Sequence, residues 1–145
     1  MEWYVGNSNR FNEFLRNPPD PGLLATNEYV QQTQRDVDNL RAVIERSTLP
    51  EDVVLYRTTK LPGTVQKGDT FTDPGFLSGS IDPDFVEQFR RTHYSADTVV
   101  IATSIPAGTP VLLINNTFER EAVLLPATPI RADRIDGDMI QASLA

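Results

Sequence analysis

Helical and strand patterns divide this chain at Leu49-Pro50, and that division limits its fold more than any other feature. Before it, Ser8 can cap a short helix ending near Arg16, on which Phe11, Phe14 and Leu15 fall at i, i+3 and i+4. Asn12 and Arg16 are four apart and share a neighbouring face of that helix. Pro18, Pro19 and Pro21 stop it. A longer helix is predicted over residues 23–47, with Val30, Val37, Leu40, Val43 and Ile44 as its apolar stripe. Two helices before any strand predict an α+β fold rather than alternating β-α-β units. With no repeat, linker or low-complexity segment, residues 1–145 read as one domain.

After Asp52 the pattern is β. Val53-Val54-Leu55-Tyr56-Arg57 is a short apolar run with β-branched residues, the mark of a buried strand. Short strands are expected at 69–72 and 75–80, separated by Asp73-Pro74. Asp82-Pro83-Asp84 is a helix-start signature, and Phe85 and Phe89 share a face of the helix it opens. Strands follow at 98–104, at 111–114 and through the apolar run ending in Leu124-Leu125-Pro126. A last strand is predicted at 129–135 and a tight turn at Asp136-Gly137, with the tail from Met139 an edge strand or frayed.

Composition removes several chemistries. There is no cysteine, so disulfides, thiolate nucleophiles and thiolate metal sites are excluded, and the single His93 cannot make a His-rich metal site. A formal net charge of −7 makes a nucleic-acid backbone a poor partner. No apolar run approaches the roughly 18 residues of a membrane-spanning helix, and the N-terminus lacks a signal peptide's apolar core.

Three groups of residues could carry chemistry. In an extended strand, Glu119 and Glu121 would project into the same space, with Cα atoms roughly 6.5–7 Å apart. Such proximity disfavours joint ionisation and raises one pKa toward the range useful for proton transfer. A solvent-facing Glu-Arg-Glu at a strand end is the plainer reading. Arg57 closes an otherwise apolar strand, so its guanidinium needs either an internal carboxylate or a bound anion such as phosphate. Ser78-Gly79-Ser80 puts two hydroxyls on one strand face, either an ordinary polar end or a means of orienting a sugar or a glutamate.

In their order and spacing, Leu55-Tyr56-Arg57, Gly75-Phe76-Leu77-Ser78-Gly79-Ser80 and Glu119-Arg120-Glu121 before Leu124-Leu125-Pro126 resemble the Arg, Ser-Thr-Ser and Glu-x-Glu signatures of mono-ADP-ribosyltransferases. This is the Arg-Ser-Glu class of C3-like exoenzymes and clostridial binary-toxin enzymes. Residues 8–16 are similar to the family's early helix, residues 49–57 to its approach to the first strand, and Ile105-Pro106-Ala107-Gly108 to its usual turn, so the resemblance covers nearly the whole chain. It implies the ADP-ribosyltransferase fold: a split, twisted, mixed and mainly antiparallel β-sandwich with N-terminal helices, holding NAD as substrate in a central cleft without a metal.

The resemblance also implies roles. Arg57 grips the NAD phosphates, the backbone of Thr58 pairs with the nicotinamide amide, and Arg16 and Asn12 reach the diphosphate or adenosine side. Ser78 positions Glu121, while Ser80 and Gly75 line the same wall. Glu121 hydrogen-bonds the nicotinamide ribose and stabilises an oxocarbenium-like transition state. Glu119, two residues before it, goes in this family with arginine acceptors, and Phe118 is either a recognition aromatic for the target protein or a turn filler. Residues 81–95 correspond to the loop over phosphate and nicotinamide, and residues 114–121 to the target-recognising turn. Two departures carry expectations: Gly79 replaces the middle Thr and should loosen the strand, and one extra residue after Glu121 should place Ala122 in a bulge.

The resulting expectation is a soluble, monomeric toxin or phage effector that modifies a protein, at arginine, in the cytoplasm of a host or competitor cell after delivery, with no membrane or nucleic-acid partner. An NAD glycohydrolase on the same fold and a catalytically inactive interaction module are the alternatives.

Overall fold

The computed structural model describes residues 2–60, 65–84, 87, 98–114 and 120–145, with backbone alone at 2–8, 60 and 98. Phe85, Phe89, His93, Phe118 and Glu119 lie outside the described residues, as does most of each loop assigned to NAD or target contact. Pro83 and Asp84 are helical, and the Asp82 carboxylate accepts from the Asp84 N–H at 3.0 Å, which fits the predicted helix start.

Three helices precede the sheet: α1 (Glu2–Arg16), α2 (Pro21–Thr26) and α3 (Glu28–Glu45). Helix α1 begins at Glu2, so Ser8 lies inside it rather than capping it. No proline interrupts residues 2–8, and the single Gly6 costs only about 1 kcal/mol. The predicted long helix is two helices, because Asn27 is extended and caps α3 by accepting from the Val30 N–H at 3.1 Å. Asp20 caps α2 in the same way, with Pro21 at the first helical position.

Eight strands follow: β1 (Val53–Lys60), β2 (Thr70–Phe71), β3 (Leu77–Ser80), β4 (Thr98–Ile105), β5 (Val111–Ile114), β6 (Glu121–Leu124), β7 (Ile130–Asp136) and β8 (Met139–Leu144). Their order is β2-β7-β8-β4-β1-β3-β6-β5, with β4 and β8 parallel and the other neighbours antiparallel. This is the predicted α+β class. The sheet is nearly divided: β1 pairs with β4 along its whole length, whereas among the described residues only Tyr56 and Ser80 pair β1 with β3. The five-stranded and three-stranded parts fold over one core, in which Leu55, Ile101 and Ile140 from one part meet Leu77, Ala122 and Leu124 from the other. The other face of the three-stranded part is covered by the helices, where Phe11, Val37, Leu40 and Ile44 pack on Phe76, Ile114 and Val123. Each large side chain so buried is worth roughly 1.5–3 kcal/mol.

Four expectations are corrected. The tail from Met139 is neither edge nor frayed. Gly137 turns it back at φ 62°, and β8 lies between β7 and β4 with Ile140 and Ala142 buried. Ala122 is not in a bulge, since β6 keeps unbroken register with β3 and β5, and two flanking ladders leave no place for an extra residue. The irregularity falls instead between Ala132 and Arg134 of β7. Gly79 leaves its strand in unbroken register opposite Ala122, and an added Cβ there would stand 2.4 Å from the Tyr56 carbonyl oxygen. The glycine permits close contact where β1 meets β3. Finally, the chain is not extended through Arg120, whose φ is 47°, so the rule that put Glu119 on the face of Glu121 does not apply.

Candidate active site

The C-terminal turns of α1 meet the segment that leads into β3. Asn12 and Arg16, one helical turn apart, both reach it. The Asn12 Oδ1 accepts from the Phe76 N–H at 2.8 Å. Arg16 donates from Nε to Asp73 Oδ1 at 2.8 Å and from Nη2 to Oδ2 at 2.7 Å, a two-pronged clamp. The same carboxylate accepts from the Gly75 N–H at 2.8 Å. Gly75 permits this approach, since a Cβ there would sit 2.8 Å from Asn12 Oδ1 and 3.3 Å from Arg16 Nε and would push those side-chain ends aside. Three predicted site residues, Asn12, Arg16 and Gly75, are thus in one cluster.

Arg57 lines a cavity of about 280 Å³ between the two parts of the sheet, with Thr59, Asp73, Leu77, Ile101 and Thr103 among its walls. Asp73 therefore belongs to both places. Its carboxyl is held below the usual value chiefly by the Arg16 hydrogen bonds, against burial, with the Gly75 N–H and the charges of Arg16 and Arg57 adding to the effect.

Ser78, Ser80 and Glu121 form the third group. Ser80 is directly opposite Glu121 in the β3–β6 ladder, which puts their Cβ atoms about 4.5–5.5 Å apart on one face. Ser78 shares that face one diagonal step away. The Ser80 hydroxyl also accepts from the Asp82 N–H at 2.9 Å, fixing the start of the following loop. Glu121 is half-buried and lies between Ser80 and Ile114. Tyr56 is level with Ser80, so it faces as the serines and Glu121 do, while Arg57 turns to the cavity. Ser78, Ser80 and Glu121 are not in that cavity's wall.

In a continuous ladder the residue opposite Ser78 would be Thr58, two steps beyond the Tyr56–Ser80 pair. The described strands do not pair there. The main-chain edges of Thr58 and Ser78 therefore flank the opening where the sheet splits, between the Arg57 cavity and the Ser80–Glu121 pair. Asp73 was missed in the sequence, where Asp73-Pro74 read only as a separator. An aspartate accepting from the N–H two residues on is a recognisable turn signal. Its partner Arg16, 57 residues away, could not have been read.

Among the described residues, no group of three or more metal-ligating side chains occurs and no helix is long and apolar enough to cross a membrane. The mixed eight-stranded sheet with three helices before it is the fold of the ADP-ribosyltransferase toxins. C3larvin from Paenibacillus larvae superposes with a TM-score of 0.67 at 18% identity, covering 99% of this chain and 84% of that one. The Vis toxin from Vibrio splendidus does so with a TM-score of 0.72 at 16% identity over 100% and 70%. An ADP-ribosyltransferase from Clostridium botulinum gives a TM-score of 0.71 at 14% identity over 98% and 82%. A search of curated protein sequences finds no match. The family model described as ADP-ribosyltransferase exoenzyme matches residues 1–126, and the chain belongs to that family.

Proposed function

We propose that this protein transfers ADP-ribose from NAD to an arginine side chain of a target protein, releasing nicotinamide. The observation that carries the reading is the placement of Glu121 beside Ser80 at the split of the sheet, in a chain of this family. The Arg57 guanidinium would hold the diphosphate from the cavity side, with Arg16 and Asn12 approaching from α1. The main chain of Thr58 would bond the nicotinamide amide at the unpaired edge of β1. Glu121, oriented by the neighbouring serine hydroxyls, would bond the nicotinamide ribose and stabilise the positive charge that develops as nicotinamide leaves.

Glu119, and Phe118 beside it, would meet the acceptor. A guanidinium is protonated at neutral pH and becomes nucleophilic only when a base relieves it of a proton, a task suited to a carboxylate close to Glu121. Among the structural relatives, Vis has been solved with agmatine, which carries a guanidine, and the BECa toxin of C. perfringens with NADH. The protein would act as a monomer in the cytoplasm of a target cell, with no metal.

The test is incubation of wild type, Glu121→Ala and Glu119→Ala with labelled NAD and cell lysate, with agmatine as a second acceptor. Glu121→Ala should lose NAD cleavage and labelling by about 10²-fold or more. Glu119→Ala should lose labelling while retaining NAD hydrolysis. Free ADP-ribose without labelled protein from wild type would replace the transferase by a glycohydrolase, and no NAD cleavage at all would make the chain an interaction module.

A further inference from the structure

We propose that Asp73 is a positioning residue for the NAD diphosphate, acting through Arg16. The inference rests on the reading of NAD as substrate and assigns a role to a residue outside the Arg, Ser and Glu motifs. Arg16 is the last residue of α1 and its side chain is 43% exposed, so the helix alone does not fix the guanidinium. Asp73 does so with two parallel hydrogen bonds, which set both the position and the plane of the fork. The carboxylate is itself held by the Gly75 N–H, inside a segment that Asn12 ties to α1 through Phe76. Asp73 takes two of the five N–H donors that a guanidinium carries.

Asp73 also lies in the wall of the Arg57 cavity and feels the Arg57 charge. It thus stands between the two guanidiniums that would hold one diphosphate. A carboxylate there could instead compete with the phosphate for Arg16, and the two roles predict opposite effects of its removal. The three-sided fixing of Asp73 favours positioning, because a competitor would have to leave Arg16 and the Gly75 N–H when substrate arrives.

The decisive measurement is calorimetric binding of NAD, ADP and nicotinamide to wild type, Asp73→Asn, Arg16→Ala and the double variant. Asp73→Asn keeps an oxygen for the Gly75 N–H but loses the charge and one acceptor for Arg16. It should weaken NAD and ADP about tenfold and leave nicotinamide unchanged, and it should add nothing in the Arg16→Ala background. Unchanged or tighter NAD binding by Asp73→Asn would overturn the proposal, as would a full additional loss in the double variant. Should Arg16→Ala fail to fold, Arg16→Gln takes its place in the cycle. A wild-type protein that binds neither NAD nor ADP would refute the underlying reading, and that failure shows in the parent before any variant is compared.

Discussion

Gly79→Ala should destabilise the fold by about 2–4 kcal/mol, although the residue lies in a strand where alanine is ordinarily the better choice. The added methyl carbon would stand 2.4 Å from the Tyr56 carbonyl oxygen and 3.1 Å from Leu55 Cγ. A carbon–oxygen contact needs roughly 3.3 Å, so β1 and β3 must separate by close to 1 Å. The obstructing oxygen is main chain and has no rotamer with which to yield. Forcing extra volume into such a place costs about 1–3 kcal/mol. Losing a hydrogen bond at the Tyr56–Ser80 pair, the sole described link between the two parts of the sheet, adds about 0.5–1.5 kcal/mol. In a chain this size each kcal/mol lowers Tm by roughly 3 °C, so thermal unfolding followed by circular dichroism should shift down by about 6–12 °C. Urea titration should give the same free-energy difference with an unchanged slope. A loosened strand at Gly79 predicts the reverse, a gain of about 0.4–1 kcal/mol from reduced unfolded-state entropy. An equal or raised Tm would therefore refute the close-contact account. The same variant tests the proposed site, because Ser80 follows Gly79 directly and a shift near 1 Å at a reacting centre can cost about 10²-fold in rate.

Three further outcomes are expected. Asn12→Ala leaves the Phe76 N–H without its acceptor and should cost about 1–3 kcal/mol in denaturant unfolding, whereas substitution of the neighbouring exposed Glu13 should change little. Asn27→Ala removes the cap of α3 and should cost about 1 kcal/mol, while Asn27→Gly should cost only a few tenths; equal losses would show that the side chain is not the cap. The Asp73 carboxyl is held below its ordinary value of 3.8, so its contribution to stability is present above that pH and is lost as pH falls through the lower folded-state value. The stability gap between wild type and Asp73→Asn should accordingly be constant above about pH 5 and close below 3.8, and a gap independent of pH would remove the ion pair from the account.

The order of helices and strands was legible because it depends on local periodicity and punctuation. Val111–Ile114 is a strand at its predicted residues, and the Arg57, Ser78-Gly79-Ser80 and Glu121 motifs fall on β1, β3 and β6. What was hidden depends on partners far along the chain. Asn27 caps α3 just before the apolar stripe that begins at Val30, and a reading by periodicity over residues 23–47 passes over that local signal. The place of β8 between β7 and β4 is decided by a parallel pairing to a strand some 40 residues earlier, so its own pattern cannot distinguish an inner strand from an edge. The absence of a bulge at Ala122 follows from ladders on both sides of β6. Gly79 was misread for a related reason: a strand glycine weakens the strand or permits close approach, and only the position of the Tyr56 carbonyl decides between these.

That close approach also explains why the proposed site lies where it does. Had β1 and β3 remained paired beyond Tyr56 and Ser80, their ladder would have taken up the main-chain edges of Thr58 and Ser78. Contact at one residue pair followed by divergence leaves those edges facing across an opening, with the Arg57 cavity on one side and the Ser80–Glu121 pair on the other. Helix α1 braces the segment that feeds β3 into this junction, because Asn12 and Arg16 hold it at both ends, through Phe76 and Asp73. The contact at Gly79 requires a residue without a side chain, whereas at Gly75 a Cβ would push aside the ends of Asn12 and Arg16 that brace the segment. Substituting either glycine should therefore disturb the opening even though neither residue offers a functional group to a ligand.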